Sequence, residues 1–185
     1  MGRPKGSTSD ARERLAEAAG RSFRSGGFGG IGVDGLARQA GLTSGAFYAH
    51  YASKAEAFRL SVRDGIRELA DGIAAFHQSG GDWVGTFIDF YLNERVTCDI
   101  GESCALQSLS VDVARAGDDT RSDYSVELDK AVDALAPGVG GRPTAIALLS
   151  LLSGGVSMAR AANDPALAAE IIAGVREAAL SLARR

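Results

Sequence analysis

Cysteine is scarce in this chain, two in 185 residues, as are histidine, also two, and tryptophan, with one. Two thiols are too few for a disulfide framework and fit a reducing cytosol. Two histidines without a cysteine cluster leave a metal ion short of ligands, and no Ser/His/Asp set or other catalytic constellation is present. The chain is therefore read as a non-enzyme with no cofactor and no metal. No run of 18 apolar residues occurs, which excludes an obvious membrane span and reads as soluble and globular. The opening MGRPKGSTSD is basic but is followed by no apolar segment, which argues against a secretory signal and for a cytoplasmic protein.

What is present is apolar and unevenly charged. Apolar residues make up 45% of the chain, enough for one sizeable core or two small ones. The net charge of −3 conceals an asymmetry: residues 1–60 hold nine Lys/Arg against five Asp/Glu, and residues 61–185 hold eleven against eighteen. A basic N-terminal third on an otherwise acidic chain is the distribution expected where phosphates are met at one end only.

That end contains VDGLARQAGLTSGAFYAHYASK, from Val33 to Lys54. Leu36, Ala37 and Ala40 form the apolar face of one short helix, and Leu42, Phe47 and Tyr51 belong to the start and inner face of a second. Gly41 sits where the first must stop, in the left-handed conformation that a residue without Cβ adopts freely. Thr43 caps the next, with Leu42 and Phe47 spaced as a hydrophobic staple. Two short helices joined by a glycine-containing turn are a helix-turn-helix. The outward side of the second carries Gly45 and Ala49, flanked by Ser44, Ala46 and Tyr48, where a solvated helix would carry Lys and Glu. Small residues and one phenol suit close approach to a major groove about 12 Å wide. Ser53 and Glu56 form an S-x-x-E capping box that starts another helix with Lys54 in its first turn.

The pattern resembles the DNA-binding domain of the TetR/AcrR family of bacterial transcriptional regulators. The resemblance is carried, in order over about fifty residues, by the helix ending in Phe23, Gly27-Phe28, Val33, Ala37, Ala40-Gly41-Leu42, Gly45 to Tyr48, His50-Tyr51 and Ser53-Lys54. It implies an all-α chain of about nine helices. Residues 1–53 are a three-helix DNA-binding domain with a basic arm, and residues 54–185 are a helical ligand-binding and dimerisation bundle. Where the family usually has Thr or Ser near the start of its second helix, this chain has Ile31 and Gly32.

In the arm, Arg3 and Lys5 beside Pro4 suit a narrow minor groove, or simply form a solvated terminus. The first helix is expected from Ser9 or Asp10, with Asp10 and Glu13 as a capping pair, to about Ser25. After it, Gly27, Gly29 and Gly32 satisfy G-x-G-x-x-G, as do Gly30, Gly32 and Gly35. A helix precedes this loop where a dinucleotide fingerprint requires a strand, so nucleotide binding is set aside. Further helices are expected at about 53–77, 82–97, 103–116, 119–136, 143–163 and 165–184, with no strand pattern.

In the 82–97 segment Trp83, Phe87, Phe90 and Tyr91 share one face; such a stripe is usually core, and the competing reading is the wall of a ligand cavity. Ile66 on the preceding helix and Tyr124, with His77 as a second polar handle, complete the candidate pocket. Cys104, at the start of the 103–116 segment, meets the positive end of a helix dipole, which favours a thiolate. SCALQSLSVDVARAG resembles a TetR subgroup with a cysteine at this helix start, some of whose members sense electrophiles; inert packing thiols at Cys98 and Cys104 are the other reading. The last two segments are rich in small and apolar residues, including Gly154-Gly155, and suit the four-helix subunit interface that the resemblance implies.

The expected function is a homodimeric repressor that binds a palindromic double-stranded DNA operator and is released by a small-molecule effector, with no membrane partner. Thr43, Tyr48, Lys54 and His50 are assigned to phosphates, and Ser44, Ala46 and Ala49 to base edges. The effector set is Ile66, Phe87, Phe90, Tyr91, Cys104 and Tyr124. The alternatives are a thiol-based regulator acting through Cys104 and a small enzyme built on the glycine loop.

Overall fold

The computed structural model describes residues 8–184. Among them are nine α-helices and no strand: α1 Thr8–Gly26, α2 Val33–Gln39, α3 Ser44–Tyr48, α4 Lys54–Ser79, α5 Trp83–Thr97, α6 Ala105–Ala114, α7 Asp118–Leu135, α8 Arg142–Ala161 and α9 Pro165–Ala183. Short 3-10 turns occupy Phe28–Gly30, Ile100–Glu102 and Ala136–Gly138.

Helices α1 to α3 close around Leu15, Ala19, Phe23, Leu36, Ala37 and Phe47, all buried. Gly41 has a φ of 67°, the left-handed turn its position calls for. The Thr43 side chain accepts from the amide of Ala46 at 3.3 Å and starts α3. Ser53 Oγ accepts from the Glu56 amide at 3.1 Å, but the Glu56 carboxylate reaches back to the amide of Ala52, one residue beyond the Ser53 amide expected of a capping box. The apolar residues from Leu15 to Ala179 form one continuous core, and α4 runs from α3 into the C-terminal bundle, so no flexible linker separates the two parts.

Within the bundle α4 lies along α7, and α8 along α9. The first contact is laced by Arg59 to Asp123 at 2.8 Å and by Glu127, which accepts from Arg67 and Lys130, each at 3.0 Å. The second depends on Gly155, where a Cβ would come within 2.5 Å of Val175 Cγ2. The close helix approach expected at Gly154-Gly155 is thus made by Gly155 inside one subunit, while Gly154 faces outward with nothing near it. By length and composition α8 is apolar enough to cross a membrane, though it contains no run of 18 apolar residues; 39% of its most apolar window is buried inside the bundle. At the far end of α8 the Arg160 guanidinium donates to the carbonyls of Arg95, Val96 and Cys98 at 2.7 to 3.1 Å, closing the C-terminus of α5.

Two helix starts differ from expectation for identifiable reasons. Helix α1 begins at Thr8, so Asp10 lies inside it; Ser9 bonds Glu13, and Asp10 lies 3.6 Å from Arg14. Helix α6 begins only at Ala105. Asp99 accepts from the Gly101 amide and Ser103 Oγ donates to the Ile100 carbonyl, closing a 3-10 turn that leaves Cys104 as the residue capping the helix.

Candidate DNA-contacting surface and effector cavities

The outer face of α3 is nearly free of charge. Tyr48 is 59% exposed and packs edge-on against the buried Phe47 ring at 5.4 Å. Gly45 and Ala49 are exposed beside it, while Ala46 and Ser44 are half-buried. The Ser44 hydroxyl donates to the Asp34 carboxylate of α2, a contact that sequence spacing did not suggest and that ties the start of α3 to α2. Thr43 is exposed and His50 half-buried.

Lys54, in the first turn of α4, holds its ammonium 4.4 Å from the centre of the Phe28 ring. Arg14 of α1, which the sequence did not single out, lies beside the Gly41 turn, its guanidinium 3.6 Å from where a Cβ would stand. Arg38, in the last turn of α2, adds an exposed cation. Arg3 and Lys5 lie outside the described residues.

The expected effector set divides among three places. Phe87, Phe90, Tyr91 and Cys104 line one cleft between α4, α5 and the start of α6, of about 60 Å³. Phe90 stands at its rim, 37% exposed, under the Arg95 guanidinium. Tyr124 belongs instead to a groove of about 460 Å³ between α6, α7 and α8, together with Leu106, Ser110, Leu128, Ile146 and Ser153. Its hydroxyl is 2.9 Å from that of Ser110. Ile66 lines neither cavity; it is fully buried in the core beneath α4. His77 is exposed and stacks on Trp83, away from both.

The wall of the small cleft has one unsatisfied group. Tyr91 is 1% exposed, and its hydroxyl has no hydrogen-bond partner. Burial pushes its phenol well above the usual tyrosine range, and the neighbouring Cys104 adds to the push. Cys104 is 7% exposed and unpaired, as is the half-buried Cys98. Among the described residues no cluster of His, Cys, Asp and Glu is placed to hold a metal.

The two parts of the chain meet through polar contacts around the end of α1. Arg21 pairs with Glu102 and with Asp99, and Arg24 with Glu68 at 2.8 Å. The Glu102 contact raises the Arg21 pKa further.

Residues 15–59 match the family model described as bacterial regulatory proteins, tetR family. No curated protein matches the chain significantly. Solved structures resemble it along its length. Reduced NemR of E. coli superposes with a TM-score of 0.77 at 20% identity, covering 91% of this chain and 96% of that one. A TetR-family regulator from Agrobacterium tumefaciens gives 0.77 at 15% identity, with 92% and 97% coverage. SCO4454, a TetR-family regulator from Streptomyces coelicolor, gives 0.71 at 19% identity, with 95% and 97% coverage. Residues 15–59 thus carry the helix-turn-helix segment of the tetR family model, and over its length the chain has the fold of TetR-family transcriptional regulators.

Proposed function

We propose that this protein is a homodimeric repressor that binds a palindromic operator in the cytoplasm and releases it when a small molecule occupies the C-terminal bundle. The observation that carries this is the outer face of α3: small residues and one exposed phenol, with Thr43 at its start and Lys54 just beyond its end. Thr43, Tyr48, Lys54 and His50 take phosphates, and Ala46, Ala49 and Ser44 face base edges. Residues 1–53 act as the reading head and 54–185 as the effector and pairing part.

A single five-residue recognition helix reads too few base pairs for specificity, which favours a two-fold pair of subunits. Ile146, Gly154, Met158 and Leu167 leave an apolar strip on the outside of α8 and α9, suited to a second copy. For the effector, the 460 Å³ groove beside Tyr124 falls in the range of small-molecule pockets, with apolar walls and serine and tyrosine hydroxyls to fix orientation. The 60 Å³ cleft beside Tyr91 admits only a few waters in this state. Release through Cys104 is the second reading, favoured by a cysteine that stands at the N-terminus of α6 and lines that cleft.

The test is selection of a duplex from a random-sequence pool, followed by titration. Tyr48→Phe should weaken binding to every sequence alike, whereas Ala49→Arg should change which sequence is enriched. Equal affinity of wild type and Tyr48→Phe, with unchanged preference in Ala49→Arg, removes α3 from the DNA.

A further inference from the structure

The backbone of the glycine loop after α1 is tightly specified at its first residues. Gly27 adopts a φ of 67°, and a Cβ there would stand 2.6 Å from Asp112 Oδ2. Asp112 belongs to the last turn of α6, in the C-terminal bundle. The loop therefore passes directly over that carboxylate, and the next amide, of Phe28, donates to Asp112 Oδ2 at 2.9 Å.

That bond determines where the Phe28 ring lies. The ring stacks on Phe23 at 6.3 Å and meets Phe58 edge-on at 5.2 Å, but it remains 38% exposed, so burial alone does not fix it. Its open side carries the Lys54 ammonium. Lys54 is awkwardly placed for a helix, since a cation in the first turn faces the positive end of the dipole. An aromatic face beneath it offsets that repulsion and restricts the rotamers of a flexible side chain.

From these contacts we infer that Asp112 is a positioning residue for DNA binding. It holds the Phe28 amide, the Phe28 ring holds the Lys54 ammonium, and Lys54 is presented to a phosphate. The relay joins α6 to the DNA-contacting surface without passing along α4, so a displacement of α6 by about the length of one hydrogen bond releases the lysine while the helix-turn-helix itself stays folded. The inference rests on the proposed phosphate role of Lys54.

The experiment is fluorescence anisotropy with the duplex that the wild-type chain enriches from a random-sequence pool, repeated across potassium chloride concentrations. Lys54→Ala should weaken binding and make the log–log salt dependence shallower by about 0.9 for each lysine removed. Asp112→Ala should shift both quantities in the same direction, by about two- to fivefold in affinity per lysine freed. Asp112→Asn, whose amide oxygen still accepts from Phe28, should stay near wild type. The double variant Asp112→Ala/Lys54→Ala should bind no more weakly than Lys54→Ala alone. Should Asp112→Ala fail to fold, Phe28→Leu, which keeps apolar bulk and loses the ring, carries the same expectation. A loss in Lys54→Ala beside wild-type affinity and salt slope in Asp112→Ala, or additive losses in the double variant, overturns the relay alone. An unchanged Lys54→Ala overturns the phosphate role of Lys54 and the relay with it.

Discussion

Thr43, Gly41 and Phe47 take the places their spacing dictates, because a cap, a left-handed turn and a staple are decided within five residues of chain. The contact between Phe28 and Asp112 joins residues 84 positions apart and leaves no periodic trace. The same distinction separates the aromatic stripe of α5. Periodicity put Trp83, Phe87, Phe90 and Tyr91 on one face but could not tell that Phe90 would stand at a rim while Tyr91 closed a wall. Nor could it assign Tyr124 to a different cavity or Ile66 to none, since both outcomes depend on which helix packs against which. Cys104 is the residue whose chemistry is easiest to test. Buried at the start of α6 against an unsatisfied phenol, it is expected to act as packing: an electrophile such as N-ethylmaleimide should release DNA equally from wild type and from Cys104→Ser. Release from wild type only, with Cys98→Ser still responding, would establish it as a sensor.

The elements were legible as helices throughout, since each carries an apolar face and is punctuated by glycine, proline or a side-chain cap. Their partners were not, and Gly155 illustrates why: a glycine in a helix says that something comes close without saying what. Here it is Val175 of the same chain. Gly155→Ala is therefore expected to lower stability by about 1–3 kcal/mol through overpacking, read as a fall in the denaturant midpoint at constant slope. The contact between α4 and α7 has a different character. Glu127 is buried, and its hydrogen bond from Arg67, helped by Lys130, keeps its carboxyl below the usual glutamate range. A lowered folded pKa means stabilisation that is complete above the ordinary glutamate pKa and is lost as pH falls through the folded one. Glu127→Gln should accordingly lose stability at neutral pH and show a flatter acid limb than wild type in thermal melts between about pH 6 and 3. Parallel limbs in the two proteins would mean that this pair does not contribute to acid sensitivity.

For the molecule as a whole, α4 begins immediately after the recognition helix and runs the length of the bundle. A ligand that binds a splayed pair of subunits better than a docked one spoils half-site spacing of about 34–36 Å per helical turn. A coupling of about 1–3 kcal/mol would reduce operator affinity about 5- to 150-fold, and reciprocity requires the operator to weaken ligand binding by the same factor. Calorimetric titration of an effector with and without operator should show that shift; identical affinities would remove the bundle from control of DNA binding. The Arg160 guanidinium bears on a separate property of the molecule. It fastens the carbonyls at the end of α5, while Arg21 fastens Asp99 and Glu102 a few residues later. The segment between them is therefore tied to the outer helix pair on one side and to α1 on the other. Gly80 and Gly81, by contrast, are exposed, take positive φ and have open space around them. Descendants of this chain can gain or lose residues at the Gly80-Gly81 corner, and a reporter peptide can be spliced there, whereas the stretch from Cys98 to Ser103 is held to one length.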